Sequence, residues 1–212
     1  MNKTIKIMAV VLTVFASAVF SAGAASAQTV SEKILKANDA VRNIECKFHQ
    51  SRTIKASGKT VKSEGTLYYN PDGRLAMRYS TPASELLIIN ANSFHMNRGG
   101  KAMTFDTSKN GTMGKLAGTL LGCIRGDVKN LAEKNGASLS EETGADSYVI
   151  TLKTDQVTPK GYSRIILTYR KSDCTLTKMQ MDEFSGISTV YEMDGIKRNV
   201  SFPEDVFRIP SR

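Results

Sequence analysis

The chain has 212 residues, 41% of them hydrophobic and 23% charged, a balance that argues against intrinsic disorder and against a polytopic membrane protein. It carries 29 Lys and Arg against 20 Asp and Glu, a formal net charge of +9. With 3 Cys and 2 His, few ligands remain for a zinc site.

Residues 1–27 read as a secretory signal peptide. Lys3 and Lys6 make a positive start, residues 7–20 an apolar run, and Ala25-Ser26-Ala27 a small-residue cleavage site before Gln28. The apolar run is short for a membrane span, so cleavage is favoured over an anchor. Cys46 lies too far downstream for the chain itself to be lipid-anchored. Removing Lys3 and Lys6 leaves 27 basic and 20 acidic residues, a net charge of +7. Export into an envelope compartment makes nucleic acid an unexpected partner. The remaining charge reads as a solvated surface with a mild preference for anions. An oxidising compartment permits a disulfide, but Cys46, Cys123 and Cys174 are an odd set whose spacing selects no pair.

Residues 28–212 read as one domain without repeat or linker. Thr29-x-x-Glu32 fits a capping box, and Val30, Ile34, Ala37 and Val41 recur at helical spacing, predicting a helix over residues 30–42. Period-two segments follow. Cys46, Phe48 and Gln50 alternate with Lys47, His49 and Ser51; Leu67 and Tyr69 with Thr66 and Tyr68; Leu75, Met77 and Tyr79 with Arg74, Ala76 and Arg78. Asn70-Pro71-Asp72-Gly73 is a turn, residues 86–89 are a compact apolar run, and Arg98-Gly99-Gly100-Lys101 joins two short runs as a tight hairpin. Met113, Leu116, Leu120 and Ile124 then fall at helical spacing, interleaved with Gly114, Gly118 and Gly122. Each glycine weakens a helix by about 1 kcal/mol relative to alanine, so this segment is expected to be loosely held. A short helix over residues 127–134 ends at Asn135-Gly136. After residue 145 the alternation resumes, as in Tyr148-Ile150-Leu152, Ile165-Leu167-Tyr169, residues 176–181, and Ile187-Thr189-Tyr191. The expected class is α+β, mainly β: a strongly curved antiparallel sheet or incomplete barrel, with the helices as a lid on its inner side.

The search for catalytic chemistry yields little. The glycines at 111–122 lack the lysine and the strand–turn–helix context of a phosphate loop, and no nucleophile elbow occurs. Cys46 and His49 sit at an odd offset on a strand, which sends their side chains to opposite faces. His95 and Met96 diverge for the same reason, so no metal site is assigned. The positive signal is softness. Seven methionines remain after residue 27 (Met77, Met96, Met103, Met113, Met179, Met181 and Met193), and the chain has no tryptophan. Core packing accounts for most of them, yet a pocket that adapts to variable apolar shapes uses the same residue.

Phe48-His49-Gln50 after the first helix, the block running from Glu64-Gly65-Thr66-Leu67 through Asn70-Pro71 to Leu75-Ala76-Met77-Arg78-Tyr79 and Pro82, and the closing Phe202-Pro203-Glu204-Asp205-Val206-Phe207 resemble, in this order, the LolA family. Its members are periplasmic carriers of outer-membrane lipoproteins. The resemblance spans residues 29–210 and implies an incomplete β-barrel whose helices cover a hydrophobic cavity. It implies no catalysis and no cofactor. The implied partners are acylated lipoproteins, an inner-membrane ATP-driven releasing complex and an outer-membrane acceptor, with the carrier a monomer in the periplasm. Carried onto this chain, the cavity takes Leu67, Tyr69, Leu75, Met77 and Tyr79 from the first strands. The following strands add Leu86, Ile88, Phe94, Met96, Met103 and Phe105, and the late ones Met179 and Met181. The lid takes Ile34, Met113, Leu116, Leu120 and Ile124. Leu75 and Met77 stand where the family has an aromatic pair. Asn70 stands where better-known members have an arginine tied to lid closure. Two other classes compete: an envelope lipid- or lipoprotein-sensing module that signals through a protein partner, and a hydrolase built on Cys46 or paired carboxylates.

Overall fold

The computed structural model describes residues 28–158 and 161–210; the signal peptide expected over residues 1–27 lies outside them. The first helix, α1 (Val30–Asn38), begins with the expected capping box. Glu32 N–H donates to Thr29 Oγ1 at 3.3 Å, and Thr29 N–H donates back to the Glu32 carboxylate at 3.0 Å. The helix is shorter than its apolar spacing suggests. It buries Ser31, Ile34 and Asn38, leaves Ala37 exposed, and ends before Val41, which is buried in the connector instead.

Six strands then run as an up-and-down meander: β1 (Ile44–Ile54), β2 (Thr60–Asn70), β3 (Arg74–Thr81), β4 (Leu86–Asn90), β5 (Ser93–Arg98) and β6 (Lys101–Asp106). The β2–β3 turn carries Gly73 at φ 82°, and the β5–β6 hairpin carries Gly99 and Gly100 at φ 57° and 74°, the left-handed pair that a two-residue hairpin requires. Helices α2 (Gly111–Arg125) and α3 (Val128–Lys134) follow. A second meander of β7 (Ser138–Thr143), β8 (Ser147–Lys153), β9 (Tyr162–Arg170), β10 (Leu176–Glu183) and β11 (Ile187–Arg198) completes the sheet. All eleven strands form one antiparallel sheet in the order β6-β5-β4-β3-β2-β1-β11-β10-β9-β8-β7. The sheet is curved and unclosed, with β6 and β7 as its edges. The segment joining those edges is α2–α3, so the helices cross the open side.

Alternate residues of the strands meet the helices in one main core, with Phe48, Leu75, Phe94, Ile150, Leu167 and Tyr169 fully buried. The outer face of β3 and β4 carries a second, smaller core. There the chain end, with its 3-10 turn Glu204–Phe207, lays Val206 and Phe207 over Ala76 and Ile88. Arg78 fastens it by donating to Val206 O at 2.7 Å, and Asn90 Nδ2 donates to Phe207 O at 3.2 Å. This cover explains why residues 86–89 are apolar without alternation: both faces of β4 are covered.

Strand β7 was not expected, because Leu139 is its sole apolar residue. Its Glu141 anchors α1 by accepting from Val30 N–H at 2.9 Å, from Ser31 N–H and from Ser31 Oγ. A carboxylate at that helix end opposes the positive pole of its dipole.

One buried charge lies on the far side. Asp182 on β10 is 2% exposed. Burial alone raises its pKa, but hydrogen bonds from Ser188, Arg164 and Gln180 outweigh burial and hold it below the usual range. At the β9–β10 turn, the Arg170 guanidinium holds Asp173 down to about 2. Both groups therefore contribute stability above the ordinary carboxylate value of about 3.9 and lose it as pH falls through their lower folded values. Asp182→Asn is expected to cost about 2 kcal/mol at neutral pH and to flatten the acid limb of a denaturant-monitored stability curve below pH ~4. An acid limb identical to the parent's contradicts that assignment.

Candidate functional site

The site grows from the inner face of the sheet. Phe48 at the centre of β1 meets Tyr79 edge-on, with ring centroids 5.0 Å apart, and Tyr191 at 6.4 Å. Around them lies a hollow of about 190 Å³ between the sheet and α2. Its apolar wall is Leu87, Phe94, Met96 and Met181 from the sheet and Leu116 and Leu120 from the helix. Its rim is polar, with Arg52, Glu85, Arg98 and Glu183, and the buried Gln50 adds a polar group to its lining. Tyr79 donates its hydroxyl to Gln50 Oε1 at 2.7 Å. Burial raises the Tyr79 and Tyr162 hydroxyls well above the usual range and takes Tyr191 up to about 12, so these phenols stay neutral donors.

Most residues expected to line a cavity share this inner face. Leu67, Tyr69, Leu75, Met77, Met179 and Met181 are buried in the main core, and Tyr79 and Met96 border the hollow. Phe105 is half-buried opposite Phe94, and Met103, opposite Met96, is 45% exposed at the β6 edge. Ile88 is a correction. It faces outward under Phe207, as strand alternation from Leu87 and Ile89 demands. Leu86 packs against the same outer cluster and only borders the hollow. Gln50, Leu87, Tyr162 and Tyr191 were missed. Tyr191 lay on a recognised alternating segment, whereas Tyr162 reaches the site through a register shift between β9 and β10 that period-two reading does not follow.

The lid residues Ile34, Leu120 and Ile124 are buried, and Met113 and Leu116 are half-buried. The C-terminal half of α2 is anchored. Tyr169 donates its hydroxyl to Cys123 O at 2.6 Å, and the left-handed cap Gly126, at φ 81°, lies so close to α1 that a Cβ there would stand 2.4 Å from Ile34 Cγ2. The N-terminal half carries the half-buried Met113 and Leu116, and the hollow lies against Leu116 and Leu120 near the middle of the helix. The three glycines also differ. A Cβ at Gly114 would meet Thr107 O at 2.7 Å, and one at Gly122 would meet Leu131 Cδ2 at 2.9 Å. These two permit close packing, while Gly118 is exposed and faces open space. Gly118→Ala therefore should stabilise α2 by about 1 kcal/mol. Amide exchange of residues 112–118 is expected to slow with little change in the melting midpoint, since local opening and global unfolding are separate equilibria. If that half of α2 already exchanges as slowly as β1 in the parent, it is core and does not gate.

Asn70 serves its own turn by accepting from Asp72 N–H at 2.9 Å. The arginine on this side comes from the helix: Arg125 reaches Asp39 at 3.5 Å. Cys46, Cys123 and Cys174 are free and buried. Burial raises the first two to about 12, which leaves them thiols, and His49 lies on the opposite, outer face between Asp194 and Glu64. Among the described residues no helix is long and apolar enough to cross a membrane.

The family model for the outer membrane lipoprotein carrier protein LolA matches residues 39–210. Among solved structures, an uncharacterised conserved protein from Thermus thermophilus aligns at TM-score 0.51 and 8% identity, over 86% of this chain and 95% of that one. A LolA superfamily protein from Nitrosomonas europaea aligns at TM-score 0.41 and 10% identity, over 85% and 98% of the two chains. MucB, in its complex with MucA from Pseudomonas aeruginosa, aligns at TM-score 0.48 and 12% identity, over 84% of this chain and 59% of the other. No curated protein sequence matches the chain.

Proposed function

The chain belongs to the LolA family of outer membrane lipoprotein carriers, and from that premise we propose that it shields lipoprotein acyl chains beneath α2. It would take its cargo from an inner-membrane, ATP-driven releasing complex and deliver it across the periplasm to an outer-membrane acceptor. The observation that carries this reading is the apolar hollow between the inner face of the sheet and α2.

An acyl chain gains about 0.8 kcal/mol for each CH₂ removed from water. The hollow of 190 Å³ is small beside the roughly 300–1,000 Å³ of ordinary ligand sites. Loading therefore requires the N-terminal half of α2 to lift, exposing Met113, Leu116 and the sheet wall beneath. Met96, Met113 and Met181 can repack around chains of different shape. The polar lining, with Gln50, Arg52 and neutral tyrosine hydroxyls, suits the ester and amide groups that join acyl chains to a protein. Release needs no chemistry, only an acceptor that covers the chains better. The buried Cys46 and Cys123 thiols have neither the ionisation nor the access that nucleophilic catalysis needs.

Mass spectrometry of the protein purified from the envelope tests this. Intact acylated proteins at stoichiometric levels are expected. Free lipid alone, or turnover of a lipid ester by the purified protein, overturns it.

A further inference from the structure

A second hollow, of about 460 Å³, lies on the other flank of α2, between that helix, α3 and the β2–β3 turn. Its lining carries more basic than acidic side chains. Lys115, Arg125 and Lys134 stand around it; Asp127, the acid in its lining, accepts a hydrogen bond from Asn130 Nδ2 at 2.8 Å, and Arg125 also reaches Asp39 at 3.5 Å. Tyr69 reaches the hollow from β2. It is 3% exposed, and among the described residues nothing hydrogen-bonds its hydroxyl. The hydroxyl oxygen itself is not among the buried atoms, so it opens on the hollow and is free to donate to a ligand or water there. Leu121 and Leu131 add apolar wall, and Gly118 leaves the helix backbone bare toward open space.

We propose that this hollow binds a phosphate group carried on a partly apolar molecule, the phosphate held by Lys115, Lys134, Arg125 and the Tyr69 hydroxyl. Size favours the organic carrier. A bare phosphate occupies only a few times the ~30 Å³ of one water, whereas 460 Å³ lies within the span of small-molecule sites. The leucines beside the cations give such a molecule a place for its apolar part. A phospholipid headgroup and free phosphate share the recognised chemistry. The site is separate from the hollow under α2, so it does not depend on the acyl-carrier reading.

The test uses the chain without residues 1–27 and follows the backbone amides of Gly118 and Gly122 by NMR. The probes are dihexanoyl-phosphatidylglycerol below its micellar concentration and inorganic phosphate. Saturable shifts of both amides with the lipid are expected. The double variant Lys115→Gln/Lys134→Gln should weaken binding at least about tenfold, and Tyr69→Phe by about threefold or more, the loss of a hydrogen bond to a charged group. Gly118→Leu should block the site sterically with all charges retained, since nothing stands within 4 Å of a Cβ there. Inorganic phosphate saturating the same amides as tightly as the lipid supports the anion site and assigns free phosphate as its source. Absence of saturable shifts with either probe overturns the proposal. So does unchanged affinity in the folded double variant, or a lipid that shifts only Phe94 and Met96 under α2.

Discussion

Gly65→Ala is expected to be the most damaging small substitution in the sheet. A Cβ at this position would lie 2.1 Å from Arg78 O and 2.8 Å from Tyr79 Cα. Both obstacles are backbone atoms of β3, so no side-chain rotation relieves them. The register between β2 and β3 shifts at this point, between Glu64 and Gly65, and Phe48 stands directly across on β1. The bulge lets β3 approach β2 closely and sets Tyr79 edge-on to Phe48 at 5.0 Å. Forcing the strands apart should cost about 3 kcal/mol, the upper range of overpacking, and lower the melting midpoint by roughly 10 °C. Equilibrium denaturation of the variant measures this directly. A midpoint equal to the parent's contradicts the close approach.

Met96→Glu should abolish acyl-chain binding while leaving a folded protein. Met96 is half-buried on the wall of the hollow, between Leu87 and Met103 in the strand register. In the empty protein its carboxylate can reach water through the polar rim. With an acyl chain in place it cannot, and an uncompensated carboxylate in apolar surroundings costs several kcal/mol. That corresponds to a loss of affinity of about a hundredfold or more, measurable by displacement of a fluorescent fatty acid. Val61→Glu, on an exposed part of β2, serves as the charge control and should bind normally. Equal affinity in parent and Met96→Glu removes the hollow under α2 as the binding site. The same substitution at Met77 is a poorer test. Met77 is 1% exposed, so a carboxylate there challenges folding before it reports on cargo.

Local rules account for much of this molecule. The capping box at Thr29, the paired glycines of the β5–β6 hairpin and the alternation along β1, β2 and β8 need only neighbouring residues. Helix α2 was legible because an apolar face at helical spacing outlasts three glycines. So was most of the inner face, because period two leaves a strand residue only two directions.

Other features depended on distant partners. Nothing near Ala76 or Ile88 shows that the chain end, more than a hundred residues away, covers them; hence Ile88 was read as facing inward. Strand β7 has a single apolar residue, and its place comes from pairing with β8 and from Glu141 holding α1. The glycines of α2 look alike in sequence, yet two make close contacts and Gly118 faces open space. Their roles differ because packing distance, unlike periodicity, is a property of what the rest of the chain brings alongside. The same is true of the hollow at Tyr69. Lys115, Arg125 and Lys134 sit on two consecutive helices, and only the crossing of α2 and α3 over the open side of the sheet sets them around a hollow that Tyr69 of β2 also lines.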